Sequence, residues 1–172
     1  MLKTIGTNLN PVLSTLTVNG LITPNSVAGI KGTSTNDSAQ AGSIGEFVSS
    51  AVGSLVAFTS GSAKDITSIS LTAGDWDITA NIGFLPASTT SITALAGSIN
   101  TTSATYNDNA QYSFSDYYSA VVPGSSTTFY KPLPTLRLSL ASTTTVYLVG
   151  RATFSVSALY HGSCFIRARR VR

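Results

Sequence analysis

Charge is what this sequence has least of. Only 10% of its 172 residues are Asp, Glu, Lys or Arg, against about 25% in an ordinary soluble domain. There is one Glu and there are four Lys, so the long charged helix formers are nearly missing, which argues against an all-α fold. His161 is the one histidine, which excludes a multi-histidine metal site. Cys164 is the one cysteine, which excludes an intrachain disulfide. No apolar run approaches the roughly 18 residues of a membrane span, and the opening MLKTIGTNLNP lacks the apolar stretch of a signal peptide. The expectation is a soluble chain without membrane insertion, made in a reducing compartment. The glycosylation-like triplets at Asn36 and Asn100 then read only as polar loops.

Serine and threonine occupy the space that charge leaves: 26 Ser and 24 Thr, beside 42% hydrophobic residues. β-Branched and aromatic residues are plentiful, so the chain is compact and β-rich rather than disordered. Its length suffices to bury about 70% of the unfolded surface in a single core. The formal charge of +3 looks basic, but Arg167, Arg169, Arg170 and Arg172 crowd the last six positions. Residues 1–166 carry six bases against seven acids. A nucleic-acid binder needs a basic face across the domain, so the pattern argues against nucleic acid and for a local basic edge.

Two regions differ in texture. Residues 1–45 carry Pro11, Pro24, many Gly and Asn, and only short apolar pieces. Such a segment cannot make its own core, yet Leu9, Val12, Leu13, Leu16, Val18, Leu21 and Ile22 are many apolar side chains for a frayed terminus. It reads as an extended arm that orders against a partner or against copies of itself. From Glu46 the period is two. Trp76, Ile78, Ala80, Ile82 and Phe84 alternate with Asp75, Asp77, Thr79 and Asn81. Leu136, Leu138 and Leu140 alternate with Arg137 and Ser139, and Val146, Leu148, Ala152, Phe154, Val156 and Ala158 share one face past a bend at Gly150. Cys164, Ile166 and Ala168 alternate with Phe165, Arg167 and Arg169. Further strands are predicted near 46–58, 65–72, 92–99 and 111–121, separated by Gly, Pro, Ser, Thr and Asn turns. The fold class is all-β: a single β-sandwich or jelly roll of about eight antiparallel strands over 46–172, with an extended N-terminal arm over 1–45. The expected core is Trp76, Ile78, Ile82, Phe84, Leu136, Leu138, Val146, Leu148, Phe154 and Val156.

Catalysis requires converging ionisable groups, and few are on offer. His161 and Cys164 stand three apart, on opposite faces of an extended strand unless Gly162 breaks it. Asp75 and Asp77 would have Cβ atoms about 7 Å apart, but on the polar face of an amphipathic strand they read as solvated acids. Asn107-Asp108-Asn109 lacks the Gly and distal Glu of a calcium loop and reads as a turn. No phosphate-binding glycine loop and no nucleophile elbow occurs. The expectation is a protein that is not an enzyme and holds no metal or cofactor. The aromatic residues gather instead: Tyr106, Tyr112, Phe114, Tyr117, Tyr118, Phe129 and Tyr130 lie within 25 residues. They could bury at a subunit interface, pad a loop against the sandwich, or stack on sugars.

Three segments resemble a family of small tailed-bacteriophage virion proteins, related to fibre tips: GTSTNDSAQAGSIGEFVSS (32–50), SISLTAGDWDITANIGF (68–84) and RLSLASTTTVYLVGRATFSVSALYHGSCFIRARRVR (137–172). AGDWDI and the closing IRARRVR carry most of the likeness. The strand rhythm is similar, more loosely, to the trimeric jelly rolls of the C1q and tumour-necrosis-factor type. LTVNGLITPNSVAGIKGT (16–33) resembles the pieces that join fibre shafts to tips, but no long shaft precedes it, so a separate tip or a directly docking protein is expected. The resemblance implies a non-enzymatic virion surface protein, assembled in the bacterial host cytoplasm. It would be a homotrimer anchored by its arm to a tail or major capsid protein, and its outer loops would meet a host-surface glycan or protein. The alternative is a capsid decoration protein that clamps major capsid subunits. Arg167, Arg169, Arg170, Tyr112, Tyr117, Tyr118, Phe129 and Tyr130 are the candidate interface residues.

Overall fold

The structure is a computed structural model that describes residues 34, 35, 37–123 and 127–172. The chain divides into Met1–Asn36 and Asp37–Arg172. The expected anchoring residues Leu9, Val12, Leu13, Leu16, Val18, Leu21 and Ile22 lie outside the described residues.

Eleven strands make up the second unit: β1 Phe47–Val52, β2 Val56–Ala57, β3 Ala63–Leu71, β4 Gly74–Pro86, β5 Ser91–Asn100, β6 Ser113–Val121, β7 Phe129–Pro132, β8 Leu136–Leu140, β9 Thr144–Ser155, β10 Leu159–His161 and β11 Cys164–Arg170. Among the described residues there is no helix, and therefore none long and apolar enough to cross a membrane. Every pairing is antiparallel, in a seven-stranded and a four-stranded sheet.

The long β4 organises the larger sheet. One of its edges pairs β11 along Trp76–Asn81 and β10 along Phe84–Pro86. Its other edge pairs β8 along Gly74–Ile78 and β7 along Asn81–Phe84. β1 lies outside β11, and β2 outside β10. The smaller sheet runs β3-β9-β5-β6. Three ribbons are interrupted along their length. Gly53 lies in the gap between β1 and β2, Pro134 in the gap between β7 and β8, and Ser163, at φ 55, in the gap between β10 and β11. Joining each such pair leaves eight ribbons, ordered 1-8-3-6 in one sheet and 2-7-4-5 in the other. First pairs last, second pairs seventh, third pairs sixth and fourth pairs fifth. That is one long antiparallel hairpin rolled into two layers, a jelly roll.

The interior follows from the alternation. Trp76, Ile78, Ile82, Phe84, Leu136, Val146 and Leu148 are buried, while Leu138 and Phe154 are half-buried against them. Val156 corrects the expectation: it is 83% exposed at φ 77. β9 ends at Ser155, and the Ser157 amide turns back onto the Ser155 carbonyl at 3.0 Å. The strand rhythm therefore stops one residue before Val156.

A bulge sets the phase of β5. Ile92 pairs Phe154 but Ala94 pairs Thr153, so Thr93 is an extra residue. Beyond it Leu95, Gly97 and Ile99 point inward and Ala94, Ala96 and Ser98 outward. A Cβ on Gly97 would lie 2.4 Å from Ile82 Cδ1 and 2.6 Å from Phe114 Cε1, so this position admits only glycine without a shift of those side chains. At one seam between the sheets the hydroxyls of Ser50 and Thr67 meet at 2.6 Å. At the other, Lys131 pairs Asp116 at 2.6 Å.

Candidate interaction surfaces

The last strand is not an edge. β11 lies between β1 and β4, so the expected basic edge is instead a basic band across a sheet face. Pairing register places Phe47, Arg169, Asp77 and Arg137 in one row across β1, β11, β4 and β8. Ser49, Arg167 and Thr79 form the next row. Arg167 lies 4.6 Å over the Phe165 ring and donates from Nε to Thr79 Oγ1 at 3.1 Å. Arg167 and Arg169 are exposed, and no ion pair within the described residues engages either.

Asp75 anchors one end of this face, and it is no solvated acid: it is buried. Ser139 donates to its Oδ1, Arg172 Nε stands 2.8 Å from Oδ2, and Arg137 Nη2 stands 3.2 Å from it. The Ser139 hydrogen bond, helped by both arginines, outweighs burial and holds this carboxyl below its ordinary value.

Arg170 behaves differently from its neighbours, and the expectation of a subunit contact there gives way. It faces inward, 4% exposed, under its own chain. Its guanidinium lies 4.3 Å over the Trp76 ring. Nε donates to Glu46 at 2.8 Å, Nη1 to the Ala73 carbonyl at 2.7 Å and Nη2 to Thr72 Oγ1 at 2.5 Å. The Gly42 amide, 2.7 Å from the Glu46 carboxylate, is the largest cause of that group's lowered pKa, with Arg170 adding to it. Gly74, at φ +135, leaves the room: a Cβ there would fall 2.0 Å from Arg170 Nη1. Three segments far apart in sequence thus meet at one internal lock, Glu46 before β1, Thr72 to Trp76 at the start of β4, and Arg170 at the end of β11.

The aromatic residues divide. Tyr112, Tyr118 and Phe129 pack against the core, as does Phe114. Tyr117 and Tyr130 are exposed, but on different sheets, Tyr117 on β6 and Tyr130 on β7. They do not form one patch. Asn107 and Asn109 cap successive turns, accepting from the amides of Asn109 at 3.1 Å and Gln111 at 3.0 Å, as a turn reading requires.

His161 is enclosed in the core, edge-on to Phe58 with ring centroids 5.4 Å apart. Neither ring nitrogen has a hydrogen-bond partner among the described residues. Burial, then the nearby Lys64 charge, pushes its pKa down, so the ring is neutral at pH 7. The break at Ser163 does bring Cys164 inward as well, but its thiol hydrogen-bonds the backbone of Gly83 and Gly162 rather than the imidazole. Burial pushes that thiol up, away from the reactive thiolate. Among the described residues no three His, Cys, Asp or Glu side chains are placed to share a metal ion.

Sequence reasoning missed Arg151. It projects from β9 onto the outer face of the four-stranded sheet, where it lines a hollow with Tyr106, Ser115 and Tyr117. No local pattern marks it, because its neighbours come from β5, β6 and the loop between them.

No family model matches the chain, and no curated protein matches it. Among solved structures it is similar to a chain in the structure of infectious bursal disease virus Gx strain, with 8% identity and a TM-score of 0.42. That match covers 73% of this chain and 32% of the other, so this chain spans about a third of the length of the one it resembles.

Proposed function

We propose that the chain is a non-enzymatic surface protein of a tailed-phage virion, fibre-tip-like, assembled as a homotrimer and anchored by residues 1–45. The observation that carries this reading is the arginine band on the outer face of the seven-stranded sheet. Arg137 and Arg172 hold Asp75 there, Arg169 lies in register with Asp77, and Arg167 donates to Thr79. Arginine keeps its charge and presents a planar fork to carboxylates and carbonyls, so the band suits a contact with acids of a neighbouring copy. Several of the ionisable groups that chemistry would need are engaged elsewhere. Asp75 and Glu46 hold arginines, Asp116 holds Lys131, and His161 is buried edge-on to Phe58. Exposed strand edges also favour symmetric assembly, which covers them.

The same flat basic band favours a second reading, a decoration protein that clamps major capsid subunits. Copy number separates the two. A stoichiometric gel of purified virions should show a few dozen copies or fewer for a fibre tip and hundreds for decoration. Absence of the chain from the particle would overturn both. Deleting residues 1–30 should leave a folded sandwich that no longer joins the virion; loss of folding would place those residues in the domain and remove the anchoring role.

A further inference from the structure

We propose that the outer face of the four-stranded sheet binds a saccharide bearing one carboxylate, with Arg151 and Tyr117 as its two anchors. The proposal rests on the host-contact part of the function above and names its ligand class.

The groove follows from the β5 bulge, which turns Ala94 and Ala96 outward. In register they lie between Thr153 and Tyr117, and between Arg151 and Ser115. Two methyl groups make a low floor between taller walls. Tyr106, Ser115 and Tyr117 also line a second hollow, together with Asp108, Ala110 and Ser113. The wall is fixed before any ligand arrives. Tyr106 donates its hydroxyl to the Phe114 carbonyl at 3.1 Å, and the Asn107 amide donates to Ser98 Oγ at 3.1 Å. Asp65 holds the same loop from β3, accepting from the Ala104 amide at 2.7 Å and from the Ser103 hydroxyl at 2.5 Å.

Two side chains of this groove are only partly used by the fold. Tyr117 is 82% exposed, an aromatic ring standing in water on a strand. Arg151 is aimed by its Nε bond to the Gly61 carbonyl at 3.1 Å, and no carboxylate among the described residues pairs with it. A sugar ring answers both needs. Its C–H face stacks on a tyrosine, and a carboxylate on that ring takes the guanidinium fork. Ser113, Ser115 and Thr153 offer hydroxyl partners along the way. Asp108 in the second hollow accepts from neutral hydroxyls and repels a second carboxylate, which limits the ligand to one acid over the length of the groove.

The test is binding of the full chain to an array of uronate- and sialate-bearing oligosaccharides, each beside its carboxyl-reduced form and beside an acidic peptide. At least one acidic oligosaccharide should bind, and its reduced form more weakly. Arg151→Gln should weaken the acidic ligand by about tenfold or more, the scale of a lost charge-assisted hydrogen bond, and abolish the preference over the reduced form. Arg151→Lys should restore part of that preference. Tyr117→Ala should weaken both forms, and Val156→Ala, at an exposed side chain outside the groove, neither. Melting of each variant checks the fold. Binding to no acidic oligosaccharide, equal binding of the reduced form, or capture of the acidic peptide alone would each overturn the proposal. The gel of purified virions is read independently. Sugar binding by a chain absent from particles sinks only the virion role, and incorporation without sugar binding sinks only this ligand.

Discussion

The outer face of the seven-stranded sheet gathers Arg137, Arg167, Arg169 and Arg172 around Asp75 and Asp77, while the outer face of the four-stranded sheet sets Arg151 beside a floor of alanines. Both present guanidinium groups, yet the surroundings give them different work. On the larger sheet Arg137 and Arg172 neutralise Asp75, and Arg167 lies flat over Phe165, which builds a broad, shallow, basic surface. On the smaller sheet the guanidinium stands at the side of a hollow next to a tyrosine. The first geometry suits a flat contact with another protein surface, the second a small ligand. Arg170, one residue from Arg169, does neither and locks the fold. Position relative to the pleat, not residue type, assigns the role.

The sharpest break in that comparison is between Arg170 and its exposed neighbours. Arg170→Ala leaves the Glu46 carboxylate without its cation under the β1–β11 strands, and chemical unfolding should show a loss of about 3–5 kcal/mol. A loss below about 0.5 kcal/mol, the range of an ordinary surface change, would return Arg170 to the surface set.

A second contrast separates two residues of the same expected face. Leu148→Ala should cost about 2–5 kcal/mol in the same measurement. Val156→Ala should stay within about 0.5 kcal/mol, because its side chain stands in solvent at a turn. Equal losses at the two sites would mean that the strand continues through Val156.

How much of this was legible follows from which contacts are local. The alternation in β4 and β11 placed Trp76, Ile78, Ile82 and Phe84 inside and Arg167 and Arg169 outside, since period two is written in neighbouring residues. It also put Arg170 on the opposite face from Arg167, without revealing that Glu46 and Trp76 wait there. Strand order was not legible. That β11 is central rather than an edge depends on β1, over a hundred residues away in sequence. Thr93 shifts the phase of β5 through a bulge with no Gly or Pro to announce it. The positive φ at Val156 breaks a pattern that looked continuous. Tyr117 was singled out, but Arg151 and the groove they share were not, because the groove exists only once β5, β6 and β9 are side by side.

Acid should separate core from surface next. The His161 pKa is depressed in the folded state, so the unfolded chain binds that proton more readily. Stability is then complete above the unfolded value of about 6.5 and declines as pH falls below it. Glu46 and Asp75 add a later loss, because their folded pKa values are also lowered; what they contribute is present above the ordinary carboxylate values and is lost as pH falls from there through the lowered folded values. Melting temperature should decline from about pH 7 to about pH 5, and His161→Phe should flatten that interval while leaving the more acidic loss. An unchanged slope in the variant would place the titrating group elsewhere.

The smallest expected effect on the fold belongs to the residues with the largest expected effect on assembly. Sedimentation equilibrium of the full chain, beside Arg167→Ala with Arg169→Ala and each followed by a melt, tests the central claim most directly. The account predicts an oligomer for the unaltered chain, a lower mass for the double variant, and melting temperatures that agree. A monomeric unaltered chain, or a double variant of undiminished mass, would contradict it.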